Sequence, residues 1–209
     1  MATDIAAILR NLESFYDFAD KSVLHVGAGG GQFIGYAANA RSVLAVDPDP
    51  AAVALLETAI RDQGLEDRLT VLQREFESVE ARVDIVFLEF CLHEMDDPAA
   101  ALLHARSVAP EILVLDHEPQ SPWAWYTCET EKAERSWASV RRGPIVREST
   151  FEAVQRFRDY SELHAKIRPL GAPALARIRK FEGRRDISIE MKYAVALLGA
   201  ELPGQREPI

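Results

Sequence analysis

The sequence predicts an α/β fold built on a doubly wound, mostly parallel sheet of seven strands. Short apolar runs alternate with helical patterns through residues 20–118, which is typical of parallel strands joined by helices. A glycine-rich loop directly follows the first apolar run. Period-two alternation near the C-terminus indicates an antiparallel β-hairpin that completes the sheet.

The elements follow in order along the chain. Apolar residues at helical spacing predict an N-terminal helix within residues 1–19. Five strands are predicted at 23–26, 43–47, 68–72, 83–89 and 112–116, with helices at 33–40, 50–62 and 98–107. The closing hairpin is predicted from 176–181 and 186–197, with a turn at 182–185.

Residues 119–170 interrupt this alternation and predict a helical insertion. The segment is bounded by prolines and contains Trp123, Trp125, Tyr126 and Trp137. Aromatic faces provide apolar area and attract cations, so we interpret the insertion as a substrate cap. The alternative is that these rings only pack the insertion onto the sheet.

Composition and charge limit the classes of function. The 209 residues are 48% hydrophobic and 27% charged, which suits a single domain over 1–209, and the net charge of −9 repels phosphate backbones. We therefore expect a small-molecule substrate rather than a nucleic acid. No apolar run reaches the roughly 18 residues that cross a bilayer. Two distant cysteines and the absence of a signal-peptide pattern predict a cytoplasmic location without membrane partners, and the sequence leaves a homodimer open.

The glycine loop and the second strand predict a nucleotide site. Gly27, Gly29 and Gly31 allow a sharp turn and close approach of the backbone to a ligand. Asp47 ends the next strand, where a carboxylate accepts hydrogen bonds from ribose hydroxyls. Gln32 stands where a dinucleotide fingerprint requires its third glycine, which argues against a nicotinamide dehydrogenase.

These motifs resemble those of the class I S-adenosylmethionine-dependent methyltransferases, whose fold is Rossmann-like. Gly27-Ala28-Gly29-Gly30-Gly31 matches the first motif, 43–47 the second, and 84–89 the fourth strand. The resemblance implies S-adenosylmethionine as cofactor, a methyl-transfer reaction, and Glu75 beside Phe76 as partners of the adenine. His25 replaces the usual acidic residue near the amino-acid end of the cofactor, and Glu89 ends the fourth strand on the ligand side.

The same resemblance places catalytic groups after the fourth and fifth strands. His93 is the leading candidate for a base near its ordinary pKa, and His117 is a second residue that serves the acceptor. Glu89, Asp116 and His117 also resemble the metal-ligand layout of catechol-type O-methyltransferases, although a divalent metal is not the favoured cofactor. A further alternative, motivated by His25, is a non-catalytic protein that binds S-adenosylmethionine or another nucleotide.

Overall fold

One mixed β-sheet organises residues 2–200, the part of the chain that the computed structural model describes. Its spatial order is β1-β7-β8-β6-β5-β2-β3-β4. The strands β2 to β8 form the expected seven-stranded sheet, and the two-residue β1 adds an antiparallel edge. The strands are β1 (Ala2–Thr3), β2 (Ser22–Val26), β3 (Ser42–Val46), β4 (Leu69–Leu72), β5 (Ile85–Glu89), β6 (Glu111–His117), β7 (Ile145–Asp159) and β8 (Arg185–Leu198).

Helices cover both faces of this sheet, so the predicted doubly wound α/β fold is confirmed. Strands β2 to β6 pair in parallel, whereas β8 runs antiparallel to both β6 and β7. The α-helices are α1 (Ile5–Phe15), α2 (Pro50–Gln63), α3 (Pro98–Val108), α4 (Pro122–Thr127), α5 (Thr130–Val140), α6 (Tyr160–Ile167) and α7 (Ala172–Ile178).

The central strand β5 shows why the sheet is buried on both sides. Ile85 and Phe87 belong to one apolar cluster, and Val86 and Leu88 belong to the other. Successive side chains of a strand point to opposite faces, so a parallel strand covered on both faces is apolar throughout. The uninterrupted run Ile-Val-Phe-Leu is the sequence signal of this arrangement.

Helix α2 begins and ends as its sequence predicts. The Asp49 side chain accepts a hydrogen bond from the Ala51 amide, and Pro50 occupies the first turn, where its missing N–H has no cost. Gly64 ends the helix in the left-handed region at φ 65°. These caps place the N-terminus of α2 just after the tip of β3.

The closing hairpin is antiparallel as predicted, but its first strand is not residues 176–181. Those residues are helical, because Ala174 and Ile178 are spaced one turn apart and are both fully buried. The partner of β8 is β7, in which Thr150 lies opposite Ala194. The prediction of helix throughout 119–170 is therefore wrong for Ile145–Asp159, where an alternating strand carries charged residues on its outer side.

The segment after the glycine loop also differs from its prediction. Residues 33–40 form a short 3-10 helix, Ile34–Ala38, instead of a full α-helix. The backbone of the loop itself, rather than an α-helix N-terminus, therefore forms this side of the site. Among residues 2–200, no helix is long and apolar enough to cross a membrane.

Candidate active site

A cleft of about 910 Å³ opens at the carboxyl ends of the parallel strands. This edge is where ligands bind in open α/β sheets. Gly27 lines the cleft after β2, Asp47 after β3, Glu75 and Phe76 after β4, and Cys91 after β5. The structure thus brings four of the cofactor-binding residues predicted from the sequence to one cavity.

Gly27 is required by both its backbone conformation and its neighbours. Its φ of +79° lies in the left-handed region that favours glycine. A Cβ atom there would lie 2.5 Å from the Cβ of Cys91 and 2.8 Å from the carbonyl oxygen of Glu89. The first glycine therefore allows the loop after β2 to pass directly over the end of β5.

The other two glycines of the motif act differently from each other. The Gly29 amide donates to Oδ2 of Asp47 across 3.2 Å, which joins the loop to the tip of β3. A Cβ on Gly31 would lie 2.7 Å from the Cβ of Ala59, so this glycine allows α2 to pack closely against the loop. Gly29 and Gly31 therefore fix the loop against β3 and α2, and neither residue lines the cleft.

Asp47 is held in one orientation before any ligand arrives. Its Oδ1 accepts from the amide of Asp49 across 2.9 Å, and its Oδ2 accepts from Gly29. A carboxylate has about four lone-pair positions, so it retains capacity for the two hydroxyls of a ribose. The geometry fits the ribose role predicted from the sequence.

His25 and Glu89 form a buried pair beneath the loop. Nε2 of His25 lies 2.8 Å from Oε2 of Glu89, and the His25 side chain has no exposed surface. Burial raises the pKa of Glu89, and the hydrogen bond from His25 opposes this effect. His25 does not line the cofactor cleft, whereas Glu89 lines a neighbouring cavity of about 200 Å³. The buried carboxylate beneath the glycine loop therefore belongs to β5, whereas β2 supplies the imidazole of His25.

A second group of polar residues surrounds His93. Its Nδ1 lies 2.5 Å from Oδ1 of Asp116, and its backbone amide donates to Oδ2 of the same residue. Oδ1 of Asp116 also accepts from the amide of His117. Asp116 is fully buried, so one carboxylate fixes both histidines at the ends of β5 and β6.

The pKa values of the two histidines are shifted in opposite directions. Burial lowers the pKa of His93, but hydrogen bonds to Asp116 and Glu94 outweigh burial and raise the pKa to about 10. Burial lowers the pKa of His117 to about 4. The expectation of an ordinary pKa at His93 therefore fails, because Asp116 stabilises its charged ring.

These histidines line what we call the histidine pocket, a cavity of about 440 Å³. It adjoins the 200 Å³ cavity, since Phe90, His117, Trp123 and Lys166 line both. Phe90 has φ 44° and a ring 4.8 Å from that of His117. Such strain in a non-glycine residue is typical of functional sites. Glu94 lines both the histidine pocket and the cofactor cleft, so the two cavities are neighbours.

Sequence reasoning did not identify Glu129, Phe90, Gln155 or Lys166 as site residues. Glu129 lies between α4 and α5, and Lys166 lies in α6, which connects the two hairpin strands. No motif marks these positions. Glu129 and Lys166 reach the site only through folding of the helical segments, whereas Phe90 follows β5 and Gln155 lies in β7. The cysteine before Glu129, Cys128, adopts φ 66° and sets the turn between the two helices.

The catechol-type ligand set of Glu89, Asp116 and His117 is not assembled. Glu89 contacts His25, and Asp116 contacts His93. In the described part of the chain, the ligand atoms that do converge belong to His93, His117 and Glu129.

A comparison with protein families identifies a known domain in the part of the chain that contains the cleft residues. Residues 24–110 match the family model described as a methyltransferase domain. This range contains the glycine loop, Asp47, Glu75 and His93. A comparison with curated proteins finds no match to the chain.

Solved structures share the fold over nearly the whole chain. A candidate methyltransferase from Bacillus halodurans C-125 is 18% identical with a TM-score of 0.64, covering 94% of this chain and 98% of its own. A candidate RNA methyltransferase from Pyrococcus horikoshii is 18% identical with a TM-score of 0.58, covering 94% and 83%. The magnesium protoporphyrin IX methyltransferase from Synechocystis PCC 6803, with S-adenosylhomocysteine bound, is 12% identical with a TM-score of 0.57, covering 92% and 80%.

Proposed function

We propose that the protein is a class I S-adenosylmethionine-dependent methyltransferase, which its domain match and its fold support, and that it methylates a small organic acceptor held in the histidine pocket. The observation that carries the proposal is the arrangement of two separate cavities with Glu94 in the wall of both. One cavity has the residues of a nucleoside site, and the other has hydrogen-bonding histidines among apolar walls.

The larger cleft fits the cofactor. Its volume of about 910 Å³ lies within the range of roughly 300–1,000 Å³ for ligand pockets. Asp47 would accept from the ribose hydroxyls, Glu75 and Phe76 would contact the adenine, and the loop at Gly27 would approach closely without a side chain. When bound, S-adenosylmethionine supplies an electrophilic methyl group on a sulfonium sulfur.

The protein then has to orient the acceptor and accept its proton. His93 is cationic at neutral pH and donates a hydrogen bond, while His117 is neutral and can accept one. Positioning of this kind lowers the barrier by fixing the reacting atoms in line. His93 acts as a general base only when its ring is deprotonated, so its base role requires alkaline pH.

The character of the histidine pocket supports a small acceptor over a nucleic acid. Phe90 and Trp123 offer aromatic surface, and Lys166 adds a positive charge to the wall of the pocket. The acceptor that fits best has an aromatic or apolar body and an anionic group for Lys166. The overall charge of −9 works against an RNA acceptor.

Calorimetry with S-adenosylmethionine, followed by an activity assay, tests this proposal. We expect binding at one site per chain and S-adenosylhomocysteine formation with members of a panel of small phenols, amines and thiols. A parallel reaction uses labelled S-adenosylmethionine and a total tRNA pool. Label incorporated into RNA, with none in the small molecules, would contradict the small-acceptor assignment.

A further inference from the structure

Three buried ligand atoms converge in the wall of the histidine pocket. They belong to His93 in the turn after β5, His117 at the end of β6, and Glu129 before α5. The atoms lie within 4.8 Å of one another, and the residues are 3%, 8% and 9% exposed. Burying two imidazoles and a carboxylate together is unfavourable unless something satisfies them.

Two neighbouring side chains hold His93 and Glu129 in place by hydrogen bonds, as the partners of metal ligands do. Nδ1 of His93 is held by Asp116, and Nε2 points away from it, towards Glu94 at 3.4 Å and Glu129 at 4.0 Å. The hydroxyl of Thr127 donates to Oε2 of Glu129 across 2.6 Å. A carboxylate that binds the far nitrogen of a ligating histidine is a recurrent feature of metal sites.

An independent observation comes from His117. Its Nδ1 is buried and has no hydrogen-bond partner among the described residues. A buried polar atom without a partner costs about 1–3 kcal/mol. This cost has a reason if the ring belongs to a site that a ligand completes.

From this arrangement, we propose that His93, His117 and Glu129 bind one divalent transition-metal ion, with zinc as the preferred ion. Two imidazoles and a carboxylate are a known zinc donor set, and the same set also accepts iron(II). A ligating imidazole is neutral, so the ion would displace the proton from Nε2 of His93. Magnesium is disfavoured because it requires oxygen ligands. A triangle with sides up to 4.8 Å has its centre about 2.8 Å from each atom, so the ligands need to move inward by roughly half an ångström or more to reach about 2.0–2.2 Å.

The cavity of about 440 Å³ leaves one side of this site open. It gives the ion a path to enter and room for a further ligand, as in zinc sites that keep an open position. Metal binding itself is independent of methyl transfer. The idea that an acceptor oxygen, nitrogen or sulfur occupies the open position rests on the proposed function.

Metal titration of the full chain, stripped with a chelator and reduced with a phosphine, tests the proposal. Calorimetry with zinc chloride and absorption spectroscopy with cobalt(II) should both give one ion per chain. The cobalt spectrum should show visible bands without a strong sulfur charge-transfer band, because neither cysteine is a ligand. Titrations with magnesium and manganese(II) test whether the site prefers zinc to these two ions.

Variants distinguish this site from adventitious binding. Glu129→Gln keeps the shape of the side chain but removes the charged ligand, and we expect at least about 100-fold weaker binding. Asp116→Asn should weaken binding by about 10- to 100-fold, as typical for a partner of a ligating histidine. The matched control is Glu131→Gln, the same change at an exposed position of α5, which should bind zinc like the parent.

Two results would overturn the proposal. One is a folded parent chain that binds neither zinc nor cobalt(II). The other is stoichiometric binding that Glu129→Gln leaves unchanged. S-adenosylmethionine affinity is measured on the same samples, and Glu129 does not line the cofactor cleft. Loss of metal binding with intact cofactor binding therefore identifies a failure of the metal site alone.

Discussion

Replacing Gly27 by alanine tests the role of the glycine loop most directly. Left-handed backbone costs a non-glycine residue about 1–2 kcal/mol. The new Cβ would also lie 2.5 Å from Cβ of Cys91 and 2.8 Å from a backbone oxygen, and such overpacking costs about 1–3 kcal/mol. Lower entropy of the unfolded chain returns about 0.4–1 kcal/mol. We expect a net loss of about 1–4.5 kcal/mol in the free energy of unfolding.

Gly183 supplies a matched control. Its φ is +73°, almost the same as that of Gly27, but a Cβ there would have no neighbour within 4 Å. Gly183→Ala should therefore lose only the backbone term, about 1 kcal/mol. Urea denaturation measures both variants, and calorimetry should show weaker S-adenosylmethionine binding for Gly27→Ala alone. Equal stability of the two variants would refute the argument that crowding at Cys91 and Glu89 requires a glycine at position 27.

Four further predictions concern the two cavities and the residues that support them. Asp47→Ala should weaken S-adenosylmethionine binding by about 1–3 kcal/mol, because ribose hydroxyls lose their acceptor, whereas Asp49→Ala removes a helix cap and should lower stability but not affinity. The folded pKa of His93 is about 10, above the ordinary 6.5. The contribution of His93 to stability is therefore complete below pH 6.5 and is lost as pH rises through about 10. The difference in unfolding free energy between the parent and His93→Gln should shrink between pH 7 and 10.5. The folded pKa of His117, about 4, lies below 6.5, so NMR should show a neutral His117 ring down to about pH 4, and a protonated ring at pH 6 would contradict this assignment. Trp137→Phe leaves the buried carbonyl of His117 without its donor at 2.8 Å. We expect a loss of about 1–3 kcal/mol in stability, measured by urea denaturation. No loss would show that another group satisfies the carbonyl.

The sequence predicted which residues meet at the edge of the sheet where the large cleft lies. Gly27, Asp47 and Glu75 follow consecutive strands at similar chain positions, and parallel strands bring such ends to one edge. The helix start at Pro50 and the helix end at Gly64 were equally local signals. Local signals of this kind are reliable because backbone conformation and hydrogen bonds within a few residues determine them.

The prediction was wrong where neighbouring elements determine the structure. Residues 176–181 have a strand-like composition, but burial of Ala174 and Ile178 against the rest of the protein favours a helix. Residues 145–159 were predicted as part of the helical insertion, although pairing with β8 makes this segment a strand. The pairing of β7 with β8 joins residues that are distant in the sequence, so composition alone does not predict it.

By itself, the sequence determined the fold class, the glycine loop and the carboxylate at the tip of β3, because each depends on hydrophobic period or on a few adjacent residues. Only the tertiary structure decided that Asp116 orients His93, that Glu89 pairs with His25, and that Glu129 reaches the two histidines. These contacts join residues from separate strands and helices. Their distances and the burial that shifts the histidine pKa values exist only once the sheet and its covering helices are packed together.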